Sequence, residues 1–216
     1  MQDVTQPRMT QLTAINAAKA LTIVLLTACA IRFGIHDFRQ VLYLCLHISY
    51  CVWWLVEQWL FPRRQHYLFS EPTDAIGLVS ALLLVGVFYA LPGYLAFTNP
   101  IPLSFVTAAI ALPLYIFGSL INTSADIQKQ TAKQWGASLV ENEIWRFSRN
   151  INYFGDLLRY LSFSILAGSG WAYLVPAFVI LIYLQRIFQK EQAMAEKYPG
   201  YANYQRSSAY LIPFLW

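Results

Sequence analysis

Apolar residues in this chain run in blocks of membrane-spanning length, separated by short polar connections. A helix that crosses the hydrocarbon core of a bilayer needs about 20 predominantly apolar residues. Such blocks fall at 14–33, 40–61, 75–97 and 101–121, and each predicts a membrane helix. Thr98-Asn99-Pro100 makes the third and fourth a tight pair, with Pro100 and Pro102 at favoured first-turn positions of the fourth. The pattern changes at 122. Residues 122–150 carry Asp126, Lys129, Lys133, Glu141, Glu143, Arg146 and Arg149, the longest polar stretch of the chain. A second apolar run, 151–187, is interrupted by Gly168-Ser169-Gly170. At roughly 37 residues it is too long for one span and reads as a helical hairpin. From Arg186 the tail reads as a polar helix, broken at Tyr198-Pro199-Gly200 and followed by apolar Leu211 to Trp216. The expected fold is an all-α, polytopic integral membrane helix bundle with about six membrane segments. Residues 1–121 and 122–216 form its two regions within one integrated domain.

Composition supports that reading. Hydrophobic residues make up 57% and charged residues 12%, against roughly 45–50% and about 25% in soluble domains. Such a chain is neither a soluble globular enzyme nor intrinsically disordered. The net charge of +4 comes from basic residues spread over short loops. Nucleic acid is therefore not an expected partner, since that needs basic residues clustered on one face. Cys29, Cys45 and Cys51 sit inside apolar stretches with no CxxC and no nearby His pair, so no disulfide framework or metal site is expected. Leu26-Thr27-Ala28-Cys29 resembles a lipoprotein cleavage box, but only Arg8 and Lys19 precede it. That charged region is thin, so the segment reads as the first membrane helix.

Basic residues also predict orientation. Arg63-Arg64, the 122–150 segment and the tail fall on one side, whereas the third–fourth connection has no Lys or Arg. The positive-inside rule then places the C-terminal half at the cytoplasm, with a bacterial inner membrane as the expected compartment. Arg32 and Arg39, in the first connection, point the other way.

Three polar clusters stand out. In the second helix, His47, Tyr50, Trp54 and Glu57 or Gln58 recur at helical spacing and form one inward stripe. Ionisable groups within a span are expensive, which makes each a functional candidate. The plainer alternatives are a Glu57 paired with Arg63 or Arg64, and a His47 hydrogen-bonded in the core. The second cluster is Asn122 to Lys129, with Asn122 and Asp126 on one helix face continued by Lys129 and Lys133. Its plainer reading is a surface pair at a polar helix end. The third runs from Trp145 to Asp156. Its arginine forks suit phosphate or carboxylate, and Asn152 and Asp156, one turn apart, suit a ribose or an amide. An interfacial belt explains Trp145 and Arg146 but not Asp156 inside an apolar helix.

Asn122-x3-Asp126-x-Gln128-Lys129, then Asn152-Tyr153-Phe154-Gly155-Asp156, then Arg186…Glu191…Lys197-Tyr198…Tyr204…Leu211-Ile212-Pro213-Phe214 resemble the steroid 5α-reductase family and its bacterial relatives. The wider group includes sterol reductases and isoprenylcysteine carboxyl methyltransferases. The resemblance covers roughly 120–216. It implies a cytosol-facing pocket in the C-terminal half that holds NADPH, and N-terminal helices that line a lipid substrate site. Asn122, Asp126, Asn152 and Tyr153 would contact the nicotinamide–ribose part. Lys133, Arg149 and Arg186 would contact the phosphates, and Gln128, Lys129, Asp156, Glu191 and Tyr204 complete the cofactor-binding set. Glu57 resembles the family's glutamate that hydrogen-bonds the substrate carbonyl, and Tyr50 would assist it as the second catalytic residue.

The implied reaction is reduction of a C=C bond conjugated to a carbonyl in a steroid, sterol or isoprenoid-like lipid. Three departures are plain, the first being that the third–fourth connection, Phe97-Thr98-Asn99-Pro100, lacks the arginines that steroid reductases use around the adenine phosphate, which leaves NADH open beside NADPH. Arg149-Asn150-Ile151-Asn152 lacks a His-Pro found in many relatives, and Arg186-Ile187-Phe188-Gln189-Lys190-Glu191 is closer to the methyltransferase pattern. An S-adenosylmethionine-dependent methyltransferase on a lipophilic substrate is therefore the alternative. A transporter, the third reading, would place polar residues near the bilayer midplane on broken helices. The expected partners are a lipophilic small molecule and membrane lipid, with no obligate protein partner.

Overall fold

The computed structural model describes residues 9–62 and 69–216. Seven helices organise them: α1 (Gln11–Phe33), α2 (Phe38–Leu60), α3 (Ala75–Thr98), α4 (Phe105–Gln134), α5 (Ile151–Ala167), α6 (Leu174–Lys197) and α7 (Tyr201–Ser207). No strand occurs among the described residues. Five helical stretches, α1 to α4 and Gly170–Lys197, are long and apolar enough to cross a membrane. The protein is thus an all-α, polytopic membrane protein. The first arm of the expected hairpin, α5, has 17 residues, a rise of about 25 Å, shorter than the roughly 30 Å hydrocarbon core.

The polar 122–134 segment continues α4 rather than leaving it. Loss of apolar residues ended the hydrophobic pattern, but Ala, Gln and Lys are good helix formers and extend the helix. It ends before Gly136, whose φ is +82°. Likewise α6 passes through Arg186 without a break. The fourth helix does not open on its prolines. Ser104 caps it, accepting from Thr107 N at 3.0 Å, and Pro100 and Pro102 stay in the connection. There the carbonyls of Ile101 and Pro102 accept from buried Arg39, at 3.0 and 3.5 Å from Nη2. That accounts for the arginine that disagreed with the charge rule: Arg39 fastens backbone, with Leu166 O as a further acceptor. Arg63 and Arg64, which carried part of the orientation argument and the alternative for Glu57, lie outside the described residues.

The chain divides into two compact units, Met1–Leu103 with Leu166–Ala172, and Ser104–Ile165 with Tyr173–Trp216. In the first, α1 packs on α2 and α3. Residues Leu82–Phe88 of α3 are π-helical, which displaces carbonyls from the regular ladder. The Thr22 hydroxyl, on α1, lies 3.3 and 3.2 Å from the carbonyls of Val85 and Gly86. In the second unit, α4 and α5 meet at Gly118 and Gly155. A Cβ on Gly155 would lie 2.7 Å from Gly118 O and 2.8 Å from Asn122 N. Gly155, read in the sequence as part of a binding motif, lets two helix backbones touch.

Candidate functional site

The second unit holds a cavity of about 200 Å³ lined by Lys129, Lys133, Val140, Trp145, Arg149, Lys190, Met194, Tyr198, Tyr201 and Tyr204. Four of those side chains are basic. Trp145 anchors the wall: it is buried, and its indole donates to Ala125 O at 3.1 Å. Lys129 Nζ lies 5.3 Å and Lys190 Nζ 5.4 Å from its ring centroid, within cation–π range.

Another part of the lining is a polar clamp. Arg149 Nε reaches Glu191 Oε2 at 3.1 Å, and its Nη1 donates to the carbonyls of Gln205 and Ser208 at 3.0 and 2.6 Å. Glu191 also accepts from Tyr201 OH at 2.5 Å and Gln205 Nε2 at 3.1 Å. With both partners of the Arg149–Glu191 pair largely buried, the extra bonds supply the compensation such a pair requires. Lys190 Nζ donates to Arg149 O and Asn150 Oδ1, both at 2.8 Å. Tyr204 OH donates to Trp145 O at 2.7 Å, and Ser148 Oγ to Leu211 O at 3.0 Å. The tail is thereby stitched to the 145–150 segment. Burial, then donation to the Glu191 carboxylate, holds the Tyr201 phenol above its ordinary range. Burial likewise raises Tyr204. At the rim, the Lys133 ammonium donates to Tyr198 OH at 3.3 Å and lowers that phenol.

A second cluster in the same unit joins α4, α5 and α6. Asn122 Nδ2 donates to Asn152 O at 3.0 Å. The rings of Tyr153 and Tyr183 lie 4.4 Å apart, and Tyr183 OH donates to Asp156 Oδ2 at 2.5 Å. Arg159 donates to the other carboxylate oxygen. The Asn152 side-chain oxygen is buried with no hydrogen-bond partner among the described residues, a vacancy that a ligand donor can fill.

Most of the sequence-predicted residues therefore fall into three places. Lys129, Lys133, Arg149 and Tyr204 line the cavity, with Glu191 bound to its wall. Asn122, Asn152, Tyr153 and Asp156 form the second cluster, while Asp126 is half-buried on α4 and Arg186 is exposed on α6. Gln128 accepts from Ile144 N at 3.3 Å, holding the loop after α4. Glu57 and Tyr50 belong to the first unit, both buried. Sequence reasoning missed Lys190, Tyr198 and Tyr201 as cavity residues and assigned Trp145 to an interfacial belt. Lys190 stands one turn from Arg186 and beside Glu191, a spacing that carried the signal.

Lys19 was missed as well. It is buried on α1 within a membrane-spanning stretch, and its ammonium donates to Tyr50 OH at 2.9 Å. Around it, Trp54 Nε1 and Gln58 Nε2 donate to Asn16 Oδ1 at 2.9 and 2.8 Å, and Tyr43 OH lies 2.9 Å from His47 Nδ1. The inward stripe of the second helix is thus a bonded polar seam against α1, and a lone lysine in an apolar run was its sequence signal.

Over 191 residues the chain is 25% identical to a Delta(14)-sterol reductase of Arabidopsis thaliana, an alignment covering 79% of this chain and 52% of that protein. It spans about half the length of that curated relative. The family described as a protein of unknown function, DUF1295, matches residues 8–208, nearly the whole chain. This membrane protein, with its cation-lined cavity, belongs to the DUF1295 family.

Proposed function

We propose that the chain is a membrane reductase of the steroid 5α-reductase-like group, which uses NADPH to reduce a C=C bond conjugated to a carbonyl in a steroid, sterol or isoprenoid-like lipid. The observation that carries this reading is the cavity: four basic side chains around an indole and three phenols. Cations favour phosphoryl groups, and aromatic faces favour a stacked base. The donor set therefore fits a phosphorylated dinucleotide. At about 200 Å³ the cavity is below the ~300–1,000 Å³ of most small-molecule sites, so it suits one end of such a ligand rather than the whole. Similarity to a sterol reductase supports the same class of substrate.

In this reading Lys129, Lys133 and Lys190 hold phosphate, and Trp145 provides the stacking surface. Arg149 and Glu191 fix the wall and the tail. Asn122, Asn152, Tyr153 and Asp156 hold the nicotinamide–ribose end, where the unfilled Asn152 oxygen accepts a donor from the ligand. When bound, reduced NADPH supplies hydride. Reduction of the enone would add that hydride at the β carbon and a solvent-derived proton at the α carbon, and the chain's own task would be to stabilise negative charge on the carbonyl oxygen. A hydrogen-bond donor at that oxygen stabilises the developing charge, the role assigned to Tyr50 and to Glu57 in its protonated form, since a carboxylate only accepts. The methyltransferase alternative is disfavoured by the same wall, because S-adenosylmethionine carries a sulfonium cation and no phosphate.

The reading is tested by incubating the purified chain with a steroid 4-en-3-one and NADPH deuterated on the transferred position. The expected product is the saturated ketone carrying one deuterium at the β carbon. A methylated lipid formed with S-adenosylmethionine, and no reduction, would overturn it.

A further inference from the structure

Residues 212–216 form a closed turn whose side chains point away from the chain. Leu215 N donates to Ile212 O at 3.1 Å, and Leu211 N and Ile212 N donate to Trp216 O at 2.7 and 2.6 Å. Phe214 is 84% and Leu215 83% exposed, with Trp216 exposed beside them. Phe214 follows Pro213 and has a φ of +66°, as at the third position of a type II turn, where Gly or Asn is usual. A bulky residue there is a genuine outlier, and burial does not offset the strain of this one.

The depth of the turn relative to the spans is fixed within the second unit. Asn150 marks the entry of the chain into apolar helix, since α5 starts at Ile151. Lys190 Nζ, on α6, donates to Asn150 Oδ1 at 2.8 Å, two residues after exposed Phe188, about 3 Å along the helix. Both helices therefore pass from apolar to polar beside Asn150. Asn150 Nδ2 donates to Tyr210 O at 2.8 Å, and the Tyr210 ring lies 5.0 Å from that of Trp216. The Phe214 ring lies 5.5 Å from that of Phe147, over which the Arg146 guanidinium stands at 4.6 Å. Exposed apolar tips, a phenol, an indole and a cation thus gather where the spans emerge.

We infer that the 212–216 turn is a bilayer-interface anchor. Phe214 and Leu215 enter the boundary between headgroups and acyl chains, with Tyr210 and Trp216 at headgroup depth. Lipid is the occupant because the turn lies at the depth where α5 and α6 leave the apolar region. Trp and Tyr concentrate at that depth, cationic side chains reach headgroups from it, and apolar side chains entering it are held by the area they bury. Trp135 supplies the contrast. It is 86% exposed but lies thirteen residues past Asn122, about 20 Å farther along α4, where water surrounds it. Anchoring also steadies the cavity of the same unit. Ser208 O accepts from Arg149, Ala209 exchanges backbone bonds with Phe147 and Arg149, and Leu211 O accepts from Ser148. A turn held in lipid keeps 208–211 against 147–150, whichever ligand the cavity takes.

The experiment places a nitroxide at Leu215→Cys in a Cys29→Ala/Cys45→Ala/Cys51→Ala background, with the full chain in phosphatidylcholine nanodiscs. Power-saturation electron paramagnetic resonance compares collisions with oxygen, which partitions into lipid, and with a water-soluble nickel chelate. The label at 215 should meet oxygen in preference to the chelate, and a label at Trp135→Cys the reverse. A preference for the chelate at both positions would overturn the inference. Spin–spin broadening at 215 that disappears on dilution with unlabelled chain would also overturn it, because a second copy then covers the turn. Hydrogen exchange reads the effect on the cavity. Leu215→Asp leaves the Phe147–Phe214 pair in place and is harmless to a residue in water. Set in lipid, it should speed exchange of the Arg149 and Ala209 amides about tenfold, with the middles of α4 and α6 unchanged as the sign of an intact fold. Unchanged exchange at Arg149 and Ala209 would overturn the steadying of the cavity.

Discussion

Two buried charges, one in each unit, are handled in opposite ways. In the second, Arg149 and Glu191 are matched, and each has further partners: two backbone carbonyls for the arginine, Tyr201 and Gln205 for the glutamate. In the first, Lys19 has a phenol oxygen and the faces of rings, which temper a positive charge without neutralising it. A compensated pair holds structure together. The difference teaches that a buried arginine can be held by a matched carboxylate and backbone carbonyls, and a buried lysine by a phenol oxygen and ring faces.

Removing one member of the compensated pair should have the largest effect. Glu191→Ala leaves the Arg149 guanidinium buried without its carboxylate, and a loss of about 3–5 kcal/mol is expected. It is measured by thermal or denaturant unfolding in detergent, and an unchanged midpoint would break the comparison.

Tyr201→Phe removes one donor from the same carboxylate and should cost about 1–2 kcal/mol. Because the Tyr201 phenol is raised in the folded chain, its contribution is complete below the unfolded value of about 10. It is lost as pH rises through the folded value. The difference in unfolding midpoint between wild type and Tyr201→Phe should therefore be constant from pH 7 to about 9 and shrink above about 10.

The smallest change in stability belongs to Lys19→Met. Relief of a charge that costs roughly 2.5–3.5 kcal/mol in the middle of a span offsets a lost hydrogen bond and cation–π contacts worth about 1–3 kcal/mol. The unfolding midpoint should stay level or rise. A large destabilisation would place Lys19 with Arg149 and Glu191 as architecture.

Most of the fold was legible because the bilayer imposes a length and a composition on each span. The limits of α1, α2 and α3 fall close to those read from hydropathy alone. Helix ends set by other forces were not legible. The polar end of α4 and the unbroken α6 depend on helix propensity, and the position of Pro100 and Pro102 depends on Arg39, a partner far along the chain. For the candidate site, the motif around Asn152 to Asp156 was visible as polarity inside an apolar helix. Its glycine was not visible as a packing residue, because only the facing Gly118 reveals the close approach. Lys190, Tyr198 and Tyr201 were hidden for a similar reason. A polar tail helix reads as solvated until the chain is seen to fold back, with Tyr204 and Leu211 bonded to Trp145 and Ser148.

The central claim is that the cation-lined cavity of the second unit takes an anionic dinucleotide. Its most direct measurement is the unfolding midpoint of the purified chain with NADPH or with S-adenosylmethionine, in wild type and in Lys129→Met/Lys190→Met. NADPH should raise the wild-type midpoint, the double variant should lose that rise, and S-adenosylmethionine should leave both unchanged. Stabilisation by S-adenosylmethionine alone, or a rise with NADPH that survives loss of both lysines, would contradict it.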